Sequence, residues 1–135
     1  MSTLRVNTIQ NASGSNASTT DNIQQGIAKA WVNFDGGGTL TSSDQSGVRD
    51  SFNISSVEDS AAGVYTVNIN TDMADTNYVV VVTVEAGTDN SQTSEGGLLF
   101  QNSTKTAGSF KIRTGDTETN NNDDYGGVNA VVFGD

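Results

Sequence analysis

The 135-residue sequence predicts an all-β domain, an antiparallel β-sandwich of about seven short strands with an extended N-terminal arm. Three observations carry this. Residues 78 to 86, Tyr-Val-Val-Val-Val-Thr-Val-Glu-Ala, concentrate β-branched apolar side chains with no charge before Glu85, a run that suits a strand far better than an amphipathic helix. Short stretches of alternating apolar and polar residues recur along the chain. Between them lie loops of Gly, Ser, Thr, Asn and Asp, with no long segment of helical periodicity.

Taken in order, residues 1 to 26 read as an arm and linker, and residues 27 to 135 as the sandwich domain. Leu4, Val6 and Ile9 are spaced as in a short docking strand, while Asn11 to Thr20 has the composition of a flexible linker. Asp21 to Ala30 can open a short helix, capped by Asp21 or Thr20, with Ile23 and Ile27 four residues apart. Ala30, Val32 and Phe34 alternate with Trp31 and Asn33 in a first strand that stops at the Asp35-Gly-Gly-Gly turn. After the polar loop Thr41 to Gly47, Phe52, Ile54 and Val57 suggest a second strand, and Glu58 to Gly63 a turn. Tyr65, Val67 and Ile69 define a third, and Thr71 to Asn77 connects it to the Tyr78 run.

That run places Tyr78, Val80, Val82, Val84 and Ala86 on one face and Val79, Val81 and Thr83 on the other, so it predicts a central strand covered on both sides. Beyond it, Gly87 to Gly96 is a polar loop, Leu98 to Phe100 a short strand and Asn102 to Gly108 a turn. Phe110, Ile112 and Thr114 alternate with Lys111 and Arg113, so that strand has one buried and one wet face. Gly115 to Gly127 is the most polar loop, and Val128 to Phe133 a final strand paired with the central one.

Composition bounds the function. Leu, Ile, Val and Phe total 29 of 135 residues, only just above the roughly 20% below which chains tend to stay unfolded, so burial between subunits would assist a thin core. The formal charge of −10 disfavours binding to nucleic acid and anionic lipid. Without His or Cys there is no Ser-His-Asp or Cys-His nucleophile, no thiolate or histidine metal site and no disulfide. The opening residues lack a basic region followed by an apolar run, and no segment reaches 18 consecutive apolar residues, so neither a secretory signal nor a membrane span is expected.

Four fragments carry a resemblance: Ala28-Lys-Ala-Trp-Val-Asn-Phe-Asp-Gly, Arg49-Asp-Ser-Phe-Asn-Ile-Ser-Ser-Val, Gly63-Val-Tyr-Thr-Val-Asn-Ile and Met73-Ala-Asp-Thr-Asn-Tyr-Val-Val. Together they resemble the C-terminal domain of fibre-type virion proteins of tailed bacteriophages, especially marine ones. The opening Ser2-Thr-Leu-Arg-Val-Asn-Thr-Ile-Gln is similar to the start of many such proteins. The resemblance covers residues 1 to 82 and, loosely, the last strand. It implies a homotrimeric surface appendage made in the host cytoplasm and displayed on the virion, some members binding host-surface glycans or proteins.

The expected function is therefore a non-enzymatic virion structural protein that contributes to host recognition, with a head decoration protein as the alternative. The arm residues Leu4, Val6 and Ile9 would contact other virion proteins. Asn121, Asp123, Asp124 and Tyr125 are the candidate receptor contacts, with Tyr125 offering a stacking platform to a sugar and its neighbours offering hydrogen bonds. The oxygen-rich run Asn120-Asn-Asn-Asp-Asp-Tyr-Gly-Gly, with Asp116 and Glu118, could also hold Ca²⁺, although its spacing is not that of an EF-hand; no other cofactor is expected. The pairs Glu58/Asp59 and Asp123/Asp124 do not make a glycosidase, because neighbouring side chains on extended chain diverge whereas hydrolysis needs two carboxyls facing each other.

Overall fold

The computed structural model describes residues 2–3, 5–85, 95–99, 104–116 and 121–134, with 95–99 described by their backbone. Among them the chain is all-β apart from one short helix. A two-residue ribbon pairs β1 (Thr8–Ile9) with β2 (Ser18–Thr19), and α1 (Thr20–Gly26) follows directly. Eight further strands form two four-stranded antiparallel sheets. The first has the order β4 (Val48–Phe52), β3 (Ala30–Phe34), β10 (Gly127–Phe133), β7 (Val79–Glu85). The second has the order β5 (Ile54–Ala61), β6 (Val64–Ile69), β9 (Ser109–Asp116), β8 (Glu95–Leu99).

Strand alternation delivers side chains from both sheets into one apolar core. Ala30, Val32 and Phe34 of β3 and Val128, Ala130 and Val132 of β10 are buried with Val57, Tyr65, Val67, Ile69, Phe110 and Ile112 of the second sheet. Phe34 and Tyr65 meet edge to face with ring centroids 5.0 Å apart, which ties the two sheets together across this core. Leu40, Met73, Tyr78 and Tyr125, all from connecting segments, join the same cluster. Tyr78 is held by its hydroxyl, which donates to the carbonyls of Thr106 and Ser109, while Lys105 Nζ donates to its carbonyl at 2.8 Å and lies over its ring.

Three sequence expectations are corrected. The valine-rich run is not central: among the described residues β7 ends the strand order, hydrogen-bonded to β10, and the middle of the sheet is β3 and β10. Val80, Val82 and Val84 pack against the core, but Val79 is 59% exposed and Val81 51%. A run of β-branched residues satisfies a strand of either kind, and only the pairing order decides between them. The expected pairing of this run with the last strand does form, in register from Gly127↔Glu85 to Phe133↔Val79.

The second correction is that Phe52, Ile54 and Val57 do not share a strand. The chain crosses from the first sheet to the second at Asn53, whose φ of 55° is left-handed, the region in which Asn is among the better-tolerated residues. Its side chain fixes the crossing by donating to the carbonyls of Lys29 and Thr71 and accepting from the Thr71 N–H at 2.8 Å. Strand β5 then runs through the expected turn, which shortens to Ala62 and Gly63.

Third, the Asn11 to Thr20 stretch is not loose linker. Asn11 Oδ1 accepts from the Ser15 N–H and from the hydroxyls of Ser13 and Ser15, closing the ribbon's turn, and Thr19, not Asp21 or Thr20, caps α1 through a bond from the Asn22 N–H. Leu98 to Phe100 is replaced by β8, and Phe100 lies outside the described residues, as does most of the Gly87 to Gly96 loop.

Candidate functional site

Of the expected receptor loop Gly115 to Gly127, residues 117–120 lie outside the described residues, and residues 121–125 are built against the second sheet. Thr114, buried at the inner face of β9, donates its hydroxyl to the Asp123 carbonyl at 2.6 Å and accepts the Asp123 N–H at its own carbonyl. The Asp116 N–H donates to the Asn121 carbonyl at 2.9 Å, and Gly115 bridges to Asn122, so residues 121–123 run back along β9 like a further strand. Arg113 Nε donates to Asn122 Oδ1 on the same side.

Asp124 then caps the end of the core. Its Oδ1 accepts the Gly63 N–H at 2.6 Å and the Tyr65 hydroxyl at 2.7 Å. Tyr65 is fully buried, and burial first, then the hydrogen bond to Asp124, push its phenol above the usual tyrosine range, so it stays protonated and donates. Gly63 has φ +63°, and a Cβ there would collide with the Thr114 carbonyl and the Asp123 backbone, so this close approach requires glycine. The Tyr125 carbonyl accepts the Gly36 N–H at 2.9 Å, anchoring the loop to the first sheet as well, while Arg49 donates to the Gly126 carbonyl and forms a half-exposed ion pair with Asp35 at 3.8 Å.

These contacts redistribute the candidate residues. Tyr125 is only 3% exposed, which corrects the reading of it as a solvated platform: its ring fills the core and offers no stacking face. Asn121 and Asp123 are exposed, whereas Asp124, although exposed as a residue, commits one carboxylate oxygen to Gly63 and Tyr65. Glu118 and Asn120 of the suggested calcium set lie outside the described residues, and among the described residues no group of three or more His, Cys, Asp or Glu is placed to hold a metal ion. In the arm, Val6 is 40% exposed and Ile9 54%, and Leu4 lies outside the described residues.

A surface that the linear pattern did not reveal lies on the outer face of the first sheet. Register places Phe52, Trp31, Val131 and Val81 in one row across all four strands, and Asp50, Asn33, Asn129 and Thr83 in the next. Phe133 and Val79 extend the apolar area on β10 and β7. Between these rows lies an open groove of about 390 Å³ with Trp31, Asn33, Val81, Thr83, Asn129 and Val131 in its walls. Asn33 donates to Asn129 Oδ1, and Asn129 donates to Glu85 Oε1 at 3.2 Å, so two amides of the polar row are linked to each other and to a carboxylate at the edge strand. The outer face of the second sheet is different in kind, with Glu58, Thr66 and Lys111 in one row and Ser56, Asn68 and Ser109 in the next. The alternation of Trp31 with Asn33 and of Val79 with Val81 and Thr83 was the available signal, but without register it could not show that these residues share a row.

No protein family, curated protein or solved structure matches this chain. Among the described residues, no helix is long and apolar enough to cross a membrane. What the described surface provides chemically is apolar area with hydrogen-bonding amides beside it, a combination suited to docking polypeptide.

Proposed function

We propose that the protein is a structural subunit of a tailed-bacteriophage virion surface, a non-enzymatic fibre-type appendage that assembles as a homotrimer and is tied to neighbouring virion subunits through its N-terminal arm. The observation that carries this reading is the apolar surface left open at two places: the arm, in which no described residue from 2 to 27 is buried, and the outer row of the first sheet. A chain with so few large aliphatic residues leaves such area in water only at a cost that subunit contact removes. The resemblance of residues 1 to 82 to fibre-type virion proteins supplies the setting.

Within this reading the assembly role outweighs the receptor role at the loop ending in Tyr125, because that loop is drawn into the core and Asp124 is occupied there. Host contact, where the appendage makes it, falls to exposed groups such as Asn121 and Asp123 or to the Gly87 to Gly96 segment. The packed loop favours the second reading to that extent: a head decoration protein needs the arm and the apolar face and no receptor loop.

Electron microscopy of particles labelled with antibody to this chain tests both. A few copies at the tail support the appendage, copies spread over the head support decoration, and absence of the chain from purified particles refutes the proposal. Particles lacking the protein should adsorb poorly to host cells under the appendage reading and normally under decoration.

A further inference from the structure

We propose that the groove on the outer face of the sheet β4-β3-β10-β7 is the docking site for the N-terminal arm of a second copy of this chain, with residues 5 to 9 crossing the strands. This deepens the reading above by naming the arm's first neighbour, and it rests only on the oligomeric part of that reading.

Both halves of the contact leave apolar side chains uncovered within one copy, although the arm's Thr8 and Ile9 pair with β2 through their backbone. The arm holds Val6 and Ile9 out in solvent, 40% and 54% exposed, ahead of the turn closed by Asn11 and the Thr19 cap. The face offers Phe52, Val79 and Val81, each more than half exposed, around the groove beside Trp31. Once straightened at the bend that the free arm makes at Asn7, residues 5 to 9 would span about 17 Å, enough for the three steps of about 14 Å between four neighbouring strands.

Charge selects the occupant. The chain carries a formal −10, so most of its surface repels a second copy, yet residues 2 to 20 hold a single charged side chain, Arg5. The groove itself has no charged wall, and the two acids of its rim stand at opposite edges of the sheet, exposed Asp50 on β4 and exposed Glu85 on β7. Of the cations nearby, Arg49, next to Asp50 on β4, is engaged by Asp35 and the Gly126 carbonyl, and Lys29 precedes β3 at the end of the face away from both acids. An apolar arm with one cation therefore matches an apolar groove with acidic edges, whichever way it crosses. The second sheet's outer face also has an acid at its edge, Glu58 on β5, but its rows of Glu58, Thr66 and Lys111 and of Ser56, Asn68 and Ser109 put polar and cationic groups where the first sheet has its apolar row.

Trp31 is the only tryptophan, so its emission reports cover over the groove directly. With the full chain, sedimentation mass and Trp31 emission are followed together from low to high micromolar concentration. The expected result is a concentration-dependent rise from the 14.0 kDa monomer accompanied by a blue shift. Arg5→Glu with Val6→Asp, both at exposed positions, should weaken association roughly tenfold or more and abolish the shift while leaving circular dichroism and the melting temperature of the monomer unchanged. In an Arg5→Glu chain, Asp50→Lys with Glu85→Lys should restore both readouts. A chain that stays monomeric overturns the proposal, and so does assembly that the arm variant leaves intact, which would indicate contact between bare sheet faces. A blue shift independent of concentration would place the arm on its own sheet and overturn the second copy. None of these failures bears on whether the chain is found in particles, so the virion reading is judged separately by microscopy.

Discussion

Replacing Asp124 by Ala tests whether this loop residue is part of the scaffold. On the surface of a polar loop the substitution would change stability by no more than about 0.5 kcal/mol. Here it removes the acceptor of the Tyr65 hydroxyl, on a fully buried ring, and of the buried Gly63 N–H. Bonds to a charged acceptor contribute about 1.5 to 3 kcal/mol, and a buried donor left unmade costs about 1 to 3. Water can reach the exposed side of Asp124 and recover part of this, so the expected loss is about 2 to 4 kcal/mol in total. For a chain of this length each kcal/mol moves the melting temperature by roughly 3 to 4 °C, which predicts a drop of roughly 6 to 16 °C. Thermal melts by circular dichroism at fixed protein concentration read this directly. Asp124→Asn, which keeps an acceptor oxygen, should recover more than half of it, and Tyr65→Phe in the Asp124→Ala background should cost much less than in the wild type. A drop below about 2 °C for Asp124→Ala, or additive single effects in the cycle, would refute the capping argument.

Val82→Asp puts a carboxylate on the inward side of β7 against the core, and the expected outcome is loss of cooperative folding, since an unpaired buried charge costs several kcal/mol out of a typical 5 to 15; an unchanged melting temperature would contradict the assignment. Gln45→Ala should cost about 1 to 2 kcal/mol and promote aggregation in light scattering, because the Gln45 amide accepts from the Val57 N–H and donates to the Val57 carbonyl, closing the free edge of β5 as a strand would. Burial pushes the Tyr78 phenol up to about 12, so the folded state keeps a proton that the unfolded chain loses near pH 10. Its stabilising contribution is complete below pH 10 and is lost as the pH rises from there to about 12, and Tyr78→Phe should lessen the alkaline decline in a pH series of melts while the part due to the raised Tyr65 phenol remains.

The sequence by itself determined the class and the strand content. Period-two alternation in 30–34, 64–69 and 110–114 is local physics, since successive side chains of a strand point to opposite faces, and each of these segments buries the face its apolar residues predicted. The pairing of the valine-rich run with the last strand was legible for the same reason. Tertiary structure alone decided what depends on partners distant in the chain. Whether Val79 and Val81 would be covered turned on whether another layer packs on the outer face of their sheet, and none of the described residues does, while whether Tyr125 would face solvent turned on residues 121–125 being held by Thr114, Gly63 and Tyr65, up to about sixty positions away. The apolar row from Phe52 to Val81 exists only because three separate registers bring it into line. Side-chain pattern specifies which face of a strand is apolar; only the packed sheets specify whether anything lies against it, because burial belongs to pairs of surfaces and not to single segments.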